Sequence, residues 1–195
     1  MHRGLLVAAL LLIAPRAAAQ VNFYGTIGIY DDPAHTQPFG TMVPLVSKKI
    51  YVGVHLNAEP DGLTGLEFSI AGLDAVILFG VDIQPPSTFV LGDIHAPVDT
   101  TTGSGGINIS WSTCIPDIDV SIALSLVSAV PPSDHTFQIL HRFPSALLPP
   151  HVFASPCHGP CFCPMPLEGR GYTLNPTDAT EARTWSVVKN LYRSP

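Results

Sequence analysis

The hydrophobic residues of this chain recur with a period of two, and that pattern excludes most folds. Ile118, Val120, Ile122, Leu124 and Leu126 alternate with Asp119, Ser121, Ala123 and Ser125. Only an extended strand turns successive side chains to opposite faces, so one face meets a core and the other meets water. Ile107, Ile109 and Trp111 are the expected partner face for this segment. The same beat runs through Val21, Phe23, Ile27 and Ile29, with Asn22, Tyr24, Thr26 and Tyr30 on the polar side. It returns in Ile50, Val52, Val54 and Leu56, and again in Leu66, Phe68 and Ile70 around Glu67 and Ser69. Between these last two segments Pro60 and Gly62 predict a β-turn joining neighbouring strands.

Further strands are expected at 76–81, 88–91, 107–111, 118–127, 136–141 and 171–175. Asp31-Asp32-Pro33, Gln84-Pro85-Pro86-Ser87, the run 100–106 and Pro131-Pro132-Ser133-Asp134 separate them. Short strands punctuated by Gly- and Pro-rich turns predict an all-β fold, an antiparallel β-sandwich of immunoglobulin-like or jelly-roll type. After Leu147 the prolines at 149, 150, 156, 160, 164 and 166 cannot donate ladder hydrogen bonds, which predicts a covering loop or irregular edge.

The N-terminus has the three parts of an export signal. His2 and Arg3 precede an apolar run from Leu5 to Ala14, and Ala17-Ala18-Ala19 supplies small residues before Gln20. The run is shorter than the roughly 20 residues a bilayer span needs. We therefore expect a signal peptide at 1–19, a sandwich domain at 20–176 and a tail at 177–195, in a secreted, extracellular or periplasmic protein. Cleavage removes Arg3 and Arg16 and leaves seven basic against fifteen acidic side chains. With Lys48-Lys49 as its only basic pair, the mature chain lacks the positive surface that nucleic acid or an anionic membrane requires. No span is expected after signal removal.

Cys114, Cys157, Cys161 and Cys163 all belong to the mature chain. In an oxidising compartment an even count points to disulfides. One residue separates Cys161 from Cys163, too few for an unstrained bond, so the expectation is Cys114 joined to one member of the 157–163 cluster and Cys157 to another. The competing reading is a zinc site of Cys157, His158, Cys161 and Cys163, although C-x₃-C-x-C is not the usual knuckle spacing.

Other candidates are weaker. Asp93 and His95 share a strand face, and Asp134 precedes His135, but no G-x-S-x-G elbow accompanies them and Gly103-Ser104-Gly105-Gly106 lacks that spacing. Asp31-Asp32, Asp117 with Asp119 and Asp82 with Asp93 offer oxygen ligands without the calcium-loop pattern. Tyr24, Tyr30 and Tyr51, on the polar side of their strands, are candidates for a sugar-stacking platform. In the tail Trp185, Val188, Leu191 and Tyr192 fall on one face of a short C-terminal helix, which is either a packing element or a partner-binding handle.

Two resemblances follow from particular residues. Tyr51-Val52-Gly53-Val54-His55-Leu56, then a turn and Gly65-Leu66-Glu67-Phe68-Ser69-Ile70, resembles the opening of cohesin-type sandwich modules. This implies a cohesin-like sandwich, while no residues matching that family's dockerin-binding surface can be picked out. The ending Thr184-Trp185-Ser186-Val187-Val188-Lys189-Asn190-Leu191-Tyr192-Arg193 is similar to the T-W-x-x-[IV]-K-x-L-Y-R ending of a group of uncharacterised exported bacterial proteins, which implies a bacterial source. The expected function is a non-enzymatic adhesion, scaffold or surface-interaction module whose partner is a protein or polysaccharide at the cell surface. A carbohydrate-binding module is the alternative and a secreted hydrolase the competitor; no cofactor is expected.

Overall fold

The computed structural model describes residues 22–57, 62–96, 105–142, 151–157 and 164–176. Outside them lie the expected signal at 1–19, the tail at 177–195 with Trp185, Val188, Leu191 and Tyr192, and also His158, Cys161 and Cys163. Among the described residues there are twelve strands: β1 Gly25–Tyr30, β2 Phe39–Gly40, β3 Lys48–Leu56, β4 Leu63–Ala71, β5 Ile77–Gln84, β6 Phe89–Asp93, β7 Gly106–Ile115, β8 Ser121–Val127, β9 His135–Leu140, β10 Val152–Pro156, β11 Met165–Gly169 and β12 Gly171–Leu174. Among the same residues no helix is long and apolar enough to cross a membrane.

The hydrogen-bonded order is β2-β12-β9-β4-β10-β11-β1-β3-β8-β5, with β7 and then β6 branching from β4. Folded over on itself, this ladder makes a β-sandwich. One layer contains β1, β3, β8 and β5; the other contains β10, β4, β7 and β6, and β11 joins them. Pairing is antiparallel except for β1 with β11 and β2 with β12, which are parallel. Side chains from both layers share one apolar core, with Ile29, Val52, Ile122 and Leu124 from the first and Leu66, Phe68, Ile107 and Ile109 from the second. Ile107, Ile109 and Trp111 thus meet β8 across the core and not through a ladder.

Three expectations need correction. The strands on either side of 57–62 are not paired neighbours: among the described residues β3 pairs with β1 and β8, and β4 with β10, β7 and β9, so the two strands belong to different layers. Ile118 is 74% exposed, because Asp117–Asp119 forms a 3₁₀ turn and the strand starts only at Ser121. A carboxylate drives that break, since Asp117 Oδ2 accepts the Leu56 N–H at 2.8 Å. The proline-rich stretch also contains two interior strands, β10 and β11. Pro166 is tolerated because its carbonyl accepts from Tyr24 N–H at 3.0 Å. Its missing N–H would point the same way, ahead of the β1 ladder that begins at Gly25 and Leu167. Pro156 sits at the β10 end, beside a register shift.

The cysteine expectation is half right. Cys114 bonds into the cluster, but its partner is Cys157 itself, so Cys157 is not bonded to a second cysteine. Register explains the choice: Ile115 and Pro156 both pair with Leu63 at the start of β4, which brings the adjoining cysteines to a Cα separation of 5.4 Å. The bond spans 43 residues of sequence.

Closing such a loop stabilises by about 3–4 kcal/mol on the chain-entropy model. Reduction, or Cys114→Ala with Cys157→Ala, is expected to lower the unfolding free energy by about that amount in urea titrations. In the same assay Leu124→Ala, at a fully buried position, should cost about 2–5 kcal/mol, and Ile118→Ala should change stability by less than about 0.5 kcal/mol.

Candidate functional site

The outer face of the β6-β7-β4-β10 layer is concave. Ladder register sets its composition row by row. Leu91, Asn108, Glu67 and Phe153 form one row across the four strands; Phe89, Ser110, Gly65 and Ser155 form the next. Gly65 and the two serines keep the floor low, and the result is a groove of about 510 Å³ that runs from Asn108 and Ser110 on β7 to Phe153 and Ser155 on β10, lined also by Thr64, Leu66, Trp111 and Pro164, with Phe89 and Leu91 next to it on β6. Trp111 is fixed from behind, its Nε1–H donating to the Pro85 carbonyl at 2.9 Å.

Glu67 lies at the centre of the groove although it is only 6% exposed. Burying a carboxylate is costly unless donors surround it. Here Asn108 Nδ2 donates to Oε2 at 3.3 Å, and Arg142 Nη1 approaches the same oxygen to 3.7 Å. On the β6 side Phe89 and Leu91 are 56% and 50% exposed, and among the described residues β6 pairs with β7 alone. Phe153 closes the other side, with His151 edge-on against it and against Phe23, and His151 Nε2 is buried without a hydrogen bond among the described residues. The site therefore combines an apolar rim, a paired carboxylate at the centre and, among the described residues, a strand edge without a ladder partner.

The residues singled out in the sequence fall elsewhere. Asp93 and His95 do meet: His95 Nδ1–H donates to Asp93 Oδ1 at 2.6 Å, and this bond holds the Asp93 carboxyl below its ordinary range. His95 borders a separate cavity of about 390 Å³ with Asp74 and Gly72. His135 Nε2–H donates to the Gly72 carbonyl at 2.8 Å. The acidic pairs serve the fold. Asp32 accepts from the N–H groups of Thr36 and Gln37 and from the Thr36 hydroxyl. Asp31 pairs with Lys48 and accepts the Tyr172 hydroxyl at 2.6 Å, and Asp82 accepts from Gln84 at 3.0 Å. Among the described residues no three His, Cys, Asp or Glu side chains gather in a metal-binding group.

The three tyrosines do not form one platform. Tyr24 is exposed and Tyr51 half-buried, while Tyr30 is buried beneath His35 and His55. Burial holds the His35 imidazole below the ordinary histidine range; the neighbouring His55 acts in the same direction and Asp32 opposes it.

Comparison with known proteins gives a fold. No family model matches the chain, and no curated protein matches it. Among solved structures, a cohesin module from a Clostridium perfringens family 33 glycoside hydrolase superposes with a TM-score of 0.52 at 13% identity, covering 80% of this chain and 99% of the module. The sixth cohesin of Acetivibrio cellulolyticus scaffoldin B, solved with a Cel5 dockerin, gives 0.48 at 10% identity over 77% of this chain and 97% of its own. A Clostridium thermocellum OlpC cohesin, from a cohesin–dockerin complex, gives 0.45 at 9% over 82% and 98%. The protein has a cohesin-like β-sandwich fold.

An imidazole with a lowered folded-state pKa binds fewer protons in the native than in the unfolded state as pH drops. Its contribution to stability is complete above the unfolded value of about 6.5 and is lost as pH falls below it. The urea midpoint is therefore expected to fall between about pH 7.5 and pH 5, and His35→Asn to flatten that slope. Asparagine suits the left-handed backbone of this position, whose φ is 57°.

Proposed function

We propose that this chain is an exported, non-enzymatic binding module that takes a protein partner on the outer face of β6, β7, β4 and β10. The observation that carries the reading is the groove: exposed Phe89 and Leu91 beside a buried, paired Glu67. Apolar anchors around a satisfied polar centre are what a protein interface uses, the anchors for affinity and the centre for register. The fold shared with a cohesin module supports a module of this size and shape. Export rests on the N-terminal signal pattern and agrees with the Cys114–Cys157 bond, because disulfides persist in oxidising compartments. The tail with Trp185, Val188, Leu191 and Tyr192 is proposed as a second handle, separable from the groove.

One observation favours the hydrolase reading, the 2.6 Å bond between His95 and Asp93, which would orient an imidazole as a base. The two readings separate cleanly. Phe89→Ser with Leu91→Ser is expected to abolish retention of a partner from the cell-surface fraction by immobilised protein, with no change in thermal midpoint. Ile77→Ser, on the other layer, should leave retention intact. Turnover of ester, peptide or glycoside substrates that His95→Ala eliminates would overturn the binding reading in favour of the enzyme.

A further inference from the structure

The other layer carries a second cavity. Gly28 on β1 and Gly53 on β3 are directly opposed in the ladder, so the outer face there has a trough with no Cβ atoms. Two rings drop into it. A Cβ on Gly28 would stand 2.7 Å from the Tyr30 hydroxyl, and one on Gly53 would collide with the His35 imidazole. Tyr30, His35 and His55 pack against one another with centroids 5.4, 5.8 and 5.9 Å apart. Beside them the link between β11 and β12 presents Arg170, anchored by its N–H on the Ile27 carbonyl at 2.8 Å. These groups, with Thr36 and Pro38, line a cavity of about 350 Å³.

The groups facing this cavity have unused hydrogen-bonding capacity of one kind. Tyr30 is 7% exposed, yet its hydroxyl has no hydrogen-bond partner among the described residues. His55 makes ring contacts and no hydrogen bond among those residues. Arg170 reaches Glu168 only at 3.8 Å, in a largely exposed pair that constrains neither side chain. Its charge acts on the Tyr30 hydroxyl, against the stronger effect of burial. The guanidinium can only donate and carries a positive charge, and the phenol and imidazole each bring an O–H or N–H beside it, so the charge argues against a cation as ligand. Metal ligation is disfavoured too, since the His35 nitrogens face Ser121 and the Gly53 backbone. Asp32 is the negative charge that acts on Tyr30 and His35, and its carboxylate is held in an exposed turn by the N–H groups of Thr36 and Gln37 and the Thr36 hydroxyl.

We propose that this cavity binds a small organic carboxylate, with Arg170 meeting the charge and the Tyr30 O–H and a His55 N–H donating to its oxygens. The fork of the guanidinium suits the two carboxylate oxygens, and displacement of the loosely held Glu168 costs little.

The probes are D-glucuronate and succinate, with D-glucose and succinamide as neutral counterparts, titrated into the full chain and followed by histidine ring NMR signals. Either acid is expected to shift the His55 resonances saturably, and the neutral compounds to leave them unchanged. Tyr30→Phe and Arg170→Gln should each weaken binding by about tenfold or more, as for loss of a charge-assisted hydrogen bond. Arg170→Lys, which keeps the charge without the fork, should fall between. Thermal midpoints within about 2 °C of wild type establish that the variants fold, and Leu91→Ser should bind as wild type does. Binding of glucuronate alone identifies an acidic carbohydrate; equal binding of both acids identifies a carboxylate-tipped chain. Equal binding of the neutral compounds, unaltered affinity in Tyr30→Phe and Arg170→Gln, or no saturable shift up to about 50 mM would each overturn the proposal.

Discussion

Strand β4 is the element on which the rest of the structure depends, because both of its edges change partner along its length. It is bonded to β10 on one side from Leu63 to Glu67 and to β7 on the other from Leu63 to Phe68. Past Phe68, Ile70 exchanges backbone bonds with Ile94 and Ala96, while Ser69–Ala71 pair with β9. A strand with both edges occupied throughout has no wet flank, and here its two faces are buried as well. That is why Glu67 and Ser69 must find partners inside the protein, Ser69 by donating to the His141 carbonyl at 2.8 Å. The groove inherits its central carboxylate from this arrangement.

The architecture was legible from alternation, because apolar residues at every second position leave few ways to hide them. Val120, Ile122, Leu124 and Leu126 are all fully buried, as their spacing implies. Alternation misleads where a strand ends or where both faces are covered. Ile118 keeps the beat but lies in a 3₁₀ turn, because Asp117 gives its carboxylate to the Leu56 N–H across 61 residues of sequence. Thr26 and Tyr30 keep it too and are nonetheless buried, Tyr30 because the His35 and His55 rings lie over it. Local sequence carries no trace of contacts made at that distance.

The candidate site was much less legible, for the same reason. Asp93 and His95 were visible because two residues on one strand share a face. Phe89, Asn108, Glu67 and Phe153 come from strands separated by tens of residues, and only register sets them in neighbouring rows. Glu67 read as an ordinary solvent-facing position. A signal was available in its strand, where a lone acid sits among Leu66, Phe68 and Ile70, but nothing local distinguishes it from a wet face. The cysteine pairing shows the intermediate case: the cluster was evident, and the choice of Cys157 followed from two ladders meeting at Leu63.

Both cavities have a common physical origin. Neighbouring strands lie about 4.8 Å apart and side chains stand roughly perpendicular to the sheet, so a pleated outer face is ordinarily filled by its own residues. A hollow forms only where small residues coincide in adjacent strands of one row. Ser110, Gly65 and Ser155 do so in the β4 layer, and Gly28 with Gly53 in the β1 layer. What surrounds each hollow then decides its chemistry. Phe89, Leu91 and Phe153 give the first an apolar rim suited to an extended protein surface, whereas Tyr30, His55 and Arg170 give the second a ring of donors suited to a small anion. Replacing Ser110 or Ser155 with a larger residue would fill the first hollow from its floor while leaving the core side chains on the opposite faces of the same strands in place, whereas at Gly28 and Gly53 even a Cβ would meet the Tyr30 and His35 rings, so there the small residues serve packing as well as the cavity.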